Sequence, residues 1–344
     1  MLALRACFFS LAFSKLVIGG KPLLKQRFSP QAPFPQNFGY LGGSFFTFFI
    51  IFYWKSITCR AILSIVIFVL TSSLLGEPML NTYLFKDVNT YDTPENHPVS
   101  IWFKLFKRWY FYWINFSVFC TCGKLGKKGK LDKNAQIEQS NRNFKLVEDC
   151  GGKIHLRGLE HLRAMNGKPC VLVANHMSLL ETAMIHSISR EYVDFSFVVK
   201  KSLYDIPYFK HLIGSLDAIA VGRSNPREDL KTVLTEGKRI LQGGRSIIIF
   251  PQSTRSDVID PEHFNTLGIK LAKSAGVPVL PFALKTDFTK VGKVVRDMGP
   301  ICPQHHVWFE FAPALEIEGN GHEQHRQIIE FIKGRVDEWR ALEK

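Results

Sequence analysis

The sequence predicts an α/β protein, a layered domain with a mostly parallel or mixed sheet flanked by helices, preceded by N-terminal membrane-associating helices. Three observations predict it. From about residue 145 onward, short apolar runs alternate with stretches of helical period. Those runs are apolar nearly throughout rather than at every second position, which suits strands covered on both faces. The chain before residue 100 instead mixes long apolar segments with polar connectors. The expected organisation is an anchor region and linker (1–99), an aromatic-basic segment (100–144) and the layered domain (145–344).

In the anchor region, Met1 to Ile18 is apolar but carries Arg5 and Lys15, and no small-residue cleavage pattern follows, so export is not expected. Lys21 to Gly43, rich in Pro, Gly, Gln and Phe, reads as a loose linker. Ser44 to Trp54 and Ala61 to Leu75 are apolar runs split by Lys55 and Arg60. A bilayer span takes about 20 apolar residues, so the two together make one tilted span or a re-entrant hairpin. The alternative is an upstream extension read into the frame, since no methionine lies between Met1 and Met79.

Ser100 to Cys122 interleaves aromatic and aliphatic bulk with Lys104, Lys107 and Arg108, and Lys124, Lys127, Lys128 and Lys130 follow. No acid occurs from Pro98 to Leu131. Tryptophan and tyrosine favour the membrane–water interface, and each Lys or Arg is worth about 1 kcal/mol beside an anionic leaflet. The segment is therefore expected to be an interfacial helix on a membrane surface with anionic lipids, at the cytoplasmic face. No recognised nucleic-acid module accompanies it, so nucleic acid is not an expected partner. The net charge of +14 fits an anionic partner without choosing one. Seven cysteines without framework spacing point to a reducing compartment.

The expected strands of the layered domain are Lys153 to Leu156, Cys170 to Ala174, Phe195 to Val199, Ser246 to Phe250, Val277 to Leu284 and Val307 to Phe311. Ser224-Asn225-Pro226 opens the clearest helix, which ends at Gly243-Gly244. Others are expected over Phe264 to Ser274 and Glu323 to Leu342. Prolines in Val277-Pro-Val-Leu-Pro281 suggest an edge strand or the wall of a groove.

Candidate chemistry lies where apolar runs end. Cys170 to Ala174 delivers Asn175 and His176, and Ser178 can cap a helix whose first turn holds Glu181. A five-residue spacing is not a same-face spacing, so the two side chains meet only if the chain turns between them. Phe250-Pro251 is followed by Gln252, Ser253, Thr254, Arg255 and Ser256, which place hydroxyls and a guanidinium at another strand end. Arg223 ends a loop before a capped helix. Open α/β sheets gather ligands outside the carboxyl ends of their strands, so one site could receive His176, Arg223 and Arg255. His305, His306, His322 and His325 are expected at the surface without a metal.

Asn175-His176-x4-Glu181, the Arg223 segment, Phe250-Pro-Gln-Ser-Thr-Arg-Ser and Val277-Pro-x-x-Pro281 resemble, in order and separation, the four blocks of the glycerolipid acyltransferases that include lysophosphatidic acid acyltransferase. The resemblance covers roughly Lys153 to Leu284 and makes 145–344 an acyltransferase domain. It implies a membrane-associated enzyme moving a fatty acyl group from acyl-CoA or acyl carrier protein to a hydroxyl on a lysophospholipid-like acceptor. It also implies His176 as general base, Glu181 as its orienting acid, and acceptor contacts from Arg223 and the Thr254-Arg255-Ser256 group. Lys200, with Lys201, resembles a basic segment of the family. No metal or prosthetic group is implied, since the thioester is itself the co-substrate.

These residue types suit that reaction. An imidazole, ordinarily titrating near about 6.5, can take a hydroxyl proton at neutral pH, and a carboxylate on its other nitrogen fixes the tautomer. Arginine presents a planar fork to phosphate. The chain departs from the family pattern twice: Glu181 stands where Asp is usual, and Gln252-Ser253 replace Glu-Gly, which puts the acceptor's identity in question. The readings outside this class are a non-catalytic lipid-binding protein with the same fold and a lipid or thioester hydrolase, although a G-x-S-x-G elbow is absent.

Overall fold

The computed structural model describes residues 17–18, 21–22, 83–252, 254–292 and 295–343. The chain forms two units. In the first, Met1–Gly42, Val17–Ile18 pairs antiparallel with Lys21–Pro22. The apolar runs expected to enter a membrane, Ser44 to Trp54 and Ala61 to Leu75, lie outside the described residues.

The second unit, Gly43–Lys344, is built on an eight-stranded mixed sheet. In chain order its elements are β1 (Tyr91–Asp92), α1 (Ile101–Phe106), α2 (Arg108–Lys127), α3 (Lys133–Asp149), β2 (Ile154–Arg157), α4 (Leu159–Met165), β3 (Val171–Ala174) and α5 (Leu180–Ser189). There follow β4 (Phe195–Lys200), α6 (Phe209–Ser215), β5 (Ile219–Val221), α7 (Pro226–Gln242), β6 (Ser246–Ile249), α8 (Leu267–Ala275), β7 (Val279–Lys285), β8 (Val307–Phe311) and α9 (His322–Leu342). Across the sheet the order is β1-β2-β8-β7-β3-β6-β4-β5. Strands β7, β3, β6, β4 and β5 are mutually parallel, β8 runs antiparallel to β7 and parallel to β2, and β1 runs antiparallel to β2.

The all-apolar runs mark the middle of this sheet. Every residue of β3, β6 and β7 is buried, as expected where helices cover both faces. Helix α8 reaches β3 closely because its second residue is a glycine: a Cβ on Gly268 would lie 2.6 Å from Val173 Cγ2. Helix α7 starts where its signals place it, with the Asn225 side chain accepting from the backbone N–H groups of Arg227 and Glu228 and Pro226 in the first turn. Helix α9 buries Ile328, Ile332, Val336 and Trp339 along one stripe and pairs Arg326 with Glu330 and Lys333 with Asp337 on the other side.

Three expectations need correction. Strand β7 is interior, between β3 and β8, despite Pro281. In the alternation of the ladder Pro281 faces the side on which Val279 N–H bonds Leu315 and Pro281 C=O accepts from Ala312 N–H at 2.9 Å. There β8 has already ended, so the donor that proline lacks is missed at the margin of the ladder rather than inside it. The loop expected from Gly214 to Arg223 holds β5, only three residues long, and takes in the last two residues of α6. His305 and His306 are partly buried: His305 Nδ1 lies 2.9 Å from Asp287 Oδ2, and His306 Nδ1 lies 2.9 Å from His155 Nε2.

The aromatic-basic segment is helical but broken at Lys107, whose φ is 49°. Helix α1 leaves Ile101 and Leu105 each 65% exposed. In contrast α2 buries Phe111, Tyr112 and Val118, so its inner side belongs to the core. Helix α3 runs across residue 144 and is joined to α5 by Ser140, whose hydroxyl donates to Ala183 C=O at 2.7 Å and accepts from Ser187 N–H at 2.9 Å.

Candidate active site

Because five parallel strands point the same way, their carboxyl ends share one edge. His176 follows β3, Gln252 to Ser256 follow β6, Lys200 ends β4, Arg223 follows β5, and Thr286 follows β7. This is the edge at which open α/β sheets bind ligands.

The chain does turn between His176 and Glu181. Ser178 Oγ accepts from Leu180 N–H at 3.0 Å from one position before the cap, which is Leu179 rather than Ser178, and the first turn of α5 swings Glu181 back beneath the imidazole. His176 Nδ1 and Glu181 Oε1 are 2.7 Å apart. Glu181 Oε1 also accepts from Met177 N–H at 2.8 Å and Ser178 N–H at 3.0 Å, while Oε2 accepts from Thr286 Oγ1 at 2.6 Å and lies 2.9 Å from Ser178 Oγ. Burial alone would push the Glu181 carboxyl up. The hydrogen bond and charge of His176, then the Thr286 hydroxyl and the backbone donors, outweigh it and hold the carboxyl below its ordinary range. The group is thus an acceptor-only carboxylate, toward which the imidazole donates through Nδ1, leaving Nε2 on the side away from Glu181. The longer arm of Glu181 relative to Asp is accommodated without loss of this contact.

The ring is fixed by more than its acid. It stacks on Phe250 with centroids 4.3 Å apart and planes at 16°, and its side chain is 19% exposed. Gln252 Oε1 accepts from His176 N–H at 2.9 Å while Gln252 Nε2 donates to Val258 C=O at 3.0 Å. A glutamate could accept the first bond but could not donate the second. His176 C=O in turn accepts from Ser256 N–H at 2.9 Å. Asn175 is fully buried and serves the sheet rather than a ligand: its amide donates to Leu284 C=O at 2.7 Å and accepts from Leu284 N–H at 2.9 Å, clamping β3 to β7.

The cationic residues divide. Arg255 lies beside the imidazole loop in a crevice lined also by Ser178, Leu179, Lys290, Arg296 and Asp297, with Phe111 and Tyr112 of α2 as its far wall. Its guanidinium pairs with Asp297 at 2.5 Å. Thr254 is exposed beside it, and Ser253 lies outside the described residues. Lys200 and Arg223 are exposed on the same edge but on β4 and beyond β5. At about 4.8 Å per strand, the strand that leads to Arg223 is roughly 14 Å from that of His176. The Asp229 carboxylate accepts from Gly222 N–H at 2.9 Å and Arg223 N–H at 2.8 Å, fixing Arg223 in the left-handed region at φ 63°.

Sequence reasoning missed Thr286, Lys290, Arg296 and Asp297. All follow β7, and no local pattern marks them. The connection that carries them folds on itself through Lys290 N–H to Pro300 C=O at 3.1 Å and Gly292 N–H to Arg296 C=O at 3.0 Å. It leans on α2 through Tyr112, whose hydroxyl donates to Gly299 C=O at 3.0 Å. Among the described residues no group of three His, Cys, Asp or Glu side chains could hold a metal ion.

Comparison with known proteins places the chain among relatives. A family model described as Acyltransferase matches residues 153–285. A 1-acyl-sn-glycerol-3-phosphate acyltransferase of Pseudomonas aeruginosa is 35% identical over 189 residues, which span 55% of this chain and 68% of that protein. A chloroplastic 1-acyl-sn-glycerol-3-phosphate acyltransferase of Brassica napus is 29% identical over 132 residues, 38% of this chain and 37% of that one. The crystal structure of the 1-acyl-sn-glycerophosphate acyltransferase PlsC from Thermotoga maritima shares the fold, with a TM-score of 0.54 at 21% identity over 69% of this chain and 96% of that one. Sequence and fold agree, and the chain belongs to the 1-acyl-sn-glycerol-3-phosphate acyltransferase family of O-acyltransferases.

Proposed function

We propose that this enzyme transfers a fatty acyl group from acyl-CoA or acyl carrier protein to the free hydroxyl of a lysophosphatidic acid-like acceptor, with His176 as general base. The observation that carries the reading is the 2.7 Å contact of His176 Nδ1 with a carboxylate whose other oxygen is engaged elsewhere. Nε2 takes the acceptor's hydroxyl proton as that oxygen attacks the thioester carbonyl. Glu181 stabilises the imidazolium without taking the proton itself. Collapse of the tetrahedral adduct breaks the carbon–sulfur bond, and the departing thiolate recovers the proton from Nε2. Ester and free thiol result, with no acyl-enzyme, metal or prosthetic group required. Arg255 and, farther along the edge, Arg223 and Lys200 are the proposed contacts for the acceptor's phosphate and the donor's anionic carrier.

The enzyme is proposed to work at the cytoplasmic face of a membrane containing anionic lipids. Supporting this, α1 exposes Ile101, Leu105 and Phe106 next to Lys104, Lys107 and Arg108, and Trp109 lies exposed in the first turn of α2. No described helix is long and apolar enough to cross a membrane. The anchor region 1–99, the aromatic-basic segment 100–144 and the acyltransferase domain 145–344 are the proposed divisions of labour.

Transfer of labelled acyl groups from acyl-CoA to 1-acylglycerol 3-phosphate tests the chemistry. His176→Ala is expected to lower kcat by about 10²–10⁴. Equal transfer by variant and wild type would remove His176 from the mechanism. Release of free fatty acid without acceptor would mark a hydrolase instead.

A further inference from the structure

The connection between β7 and β8 brings Lys290 and Arg296 into the crevice with Arg255, and Asp297 is the one carboxylate among the residues that line it. Arg255 and Asp297 are paired at 2.5 Å, with side chains 21% and 31% exposed. The paired Asp297 Oδ1 is itself buried and makes no aligned hydrogen bond, so the contact is a bare ion pair that a better-matched anion can displace. Arg296 also donates to Arg255 C=O at 3.3 Å, which keeps its charge on the same side of the crevice. Met177 and Ser178, directly after the general base, form part of the same lining. Three cations and one carboxylate leave the crevice short of negative charge. A phosphate monoester, with about −1.5 to −2 charge and three acceptor oxygens, matches that deficit better than one carboxylate does.

We propose that Asp297 stands in for the acceptor's phosphate, occupying Arg255 until a phosphomonoester displaces it onto a site completed by Lys290 and Arg296. This deepens the reading of Arg255 as an acceptor contact and rests on it. Asp297 then acts as an intramolecular competitor. If only one tenth of molecules have Arg255 free, the acceptor's apparent affinity is about tenfold weaker than its intrinsic affinity. The arrangement keeps a guanidinium paired in the empty enzyme. It also discriminates against neutral alcohols, which cannot displace the carboxylate.

The test uses full-length protein in mixed micelles and follows acyl transfer to 1-acylglycerol 3-phosphate, with inorganic phosphate as a competing anion. Asp297→Asn should lower the acceptor KM about three- to tenfold at unchanged kcat and strengthen inhibition by phosphate by a similar factor. Lys290→Gln and Arg296→Gln, at surface positions, should each raise that KM about three- to tenfold with little change in kcat. Should Asp297→Asn not fold, the two cation variants decide the matter. An unchanged or raised KM for a folded Asp297→Asn, or unchanged KM in both cation variants, would overturn the proposal. Arg255→Ala separates the two levels: if it leaves KM unchanged, Arg255 is not an acceptor contact at all. If it raises KM while Asp297→Asn has no effect, the contact stands and the competition does not.

Discussion

Thr286 stands behind Glu181, its hydroxyl donating to Oε2 at 2.6 Å, so that the oxygen turned away from His176 is the one the neighbouring strand holds. The carboxylate proposed to orient His176 is thereby tied to the sheet through a fully buried side chain. The replacement Thr286→Val keeps the shape and removes the donor. Leaving a buried carboxylate short of one partner should cost about 1–3 kcal/mol of stability. Urea denaturation would measure that loss, and steady-state kinetics should show a lower kcat with the acceptor KM nearly unchanged.

Glu181→Gln preserves size but offers a neutral amide where the imidazole meets a carboxylate. It neither fixes the tautomer nor stabilises the imidazolium, and kcat is expected to fall by about 10³–10⁴. Because the side chain faces the sheet and not the crevice, the acceptor KM should stay within about twofold. Initial-rate measurements over a range of acceptor concentrations separate the two effects.

His186 supplies a pH dependence of stability distinct from catalysis. Its Nδ1 accepts from Arg190 Nε at 2.8 Å, and burial, aided by the charge of Arg190, pushes its pKa well below the ordinary value. In the unfolded chain the ring takes a proton near about pH 6.5, while in the folded protein it stays neutral until far lower pH. Between those limits the unfolded state binds one more proton, so stability falls as pH falls, by up to about 1.4 kcal/mol per pH unit. Chemical denaturation of wild type and His186→Asn from pH 7 to 5 should differ in slope by about one proton. Equal slopes would count against a neutral buried ring.

Gly268→Ala places a methyl group 2.6 Å from Val173 Cγ2, in the strand that leads to Asn175 and His176. Either α8 or β3 must shift, at a cost of about 1–3 kcal/mol. A lowered denaturation midpoint with an unchanged m-value would report this directly.

How much was legible in the sequence depended on whether a signal was local. The apolar runs located β3, β6 and β8 to within a residue; β3 and β6 are buried along their whole length, while β8 buries every second residue and carries Glu310 on its half-buried side. His176, Ser178 and Glu181 were readable together because the serine and the acid lie within one turn of chain. Thr286 was not, being 105 residues from Glu181 and joined to it only by the adjacency of β7 and β3. Asn175 was readable as part of the block but not as a clamp, because its partners are backbone atoms of Leu284 and any residue could have supplied them. Gln252 likewise departs from the family pattern for a reason visible only in three dimensions, its two bonds to His176 and Val258. Strand β5 escaped because three residues carry too short a pattern to stand out.

The family match begins at residue 153, yet β2, which starts one residue later, is stitched to what precedes it: Thr93 N–H donates to Ile154 C=O and Ile154 N–H to Thr93 Oγ1, each at 2.9 Å. At the other boundary Lys285, fully buried, donates to Glu343 beyond the end of α9 at 2.7 Å. A chimera built by grafting only the matched segment would therefore lose β1 and β8, the Lys290, Arg296 and Asp297 side of the crevice, and both carboxylates paired with an interior lysine, Asp287 and Glu343. The portable unit for such swaps reaches from about Tyr91 to Glu343.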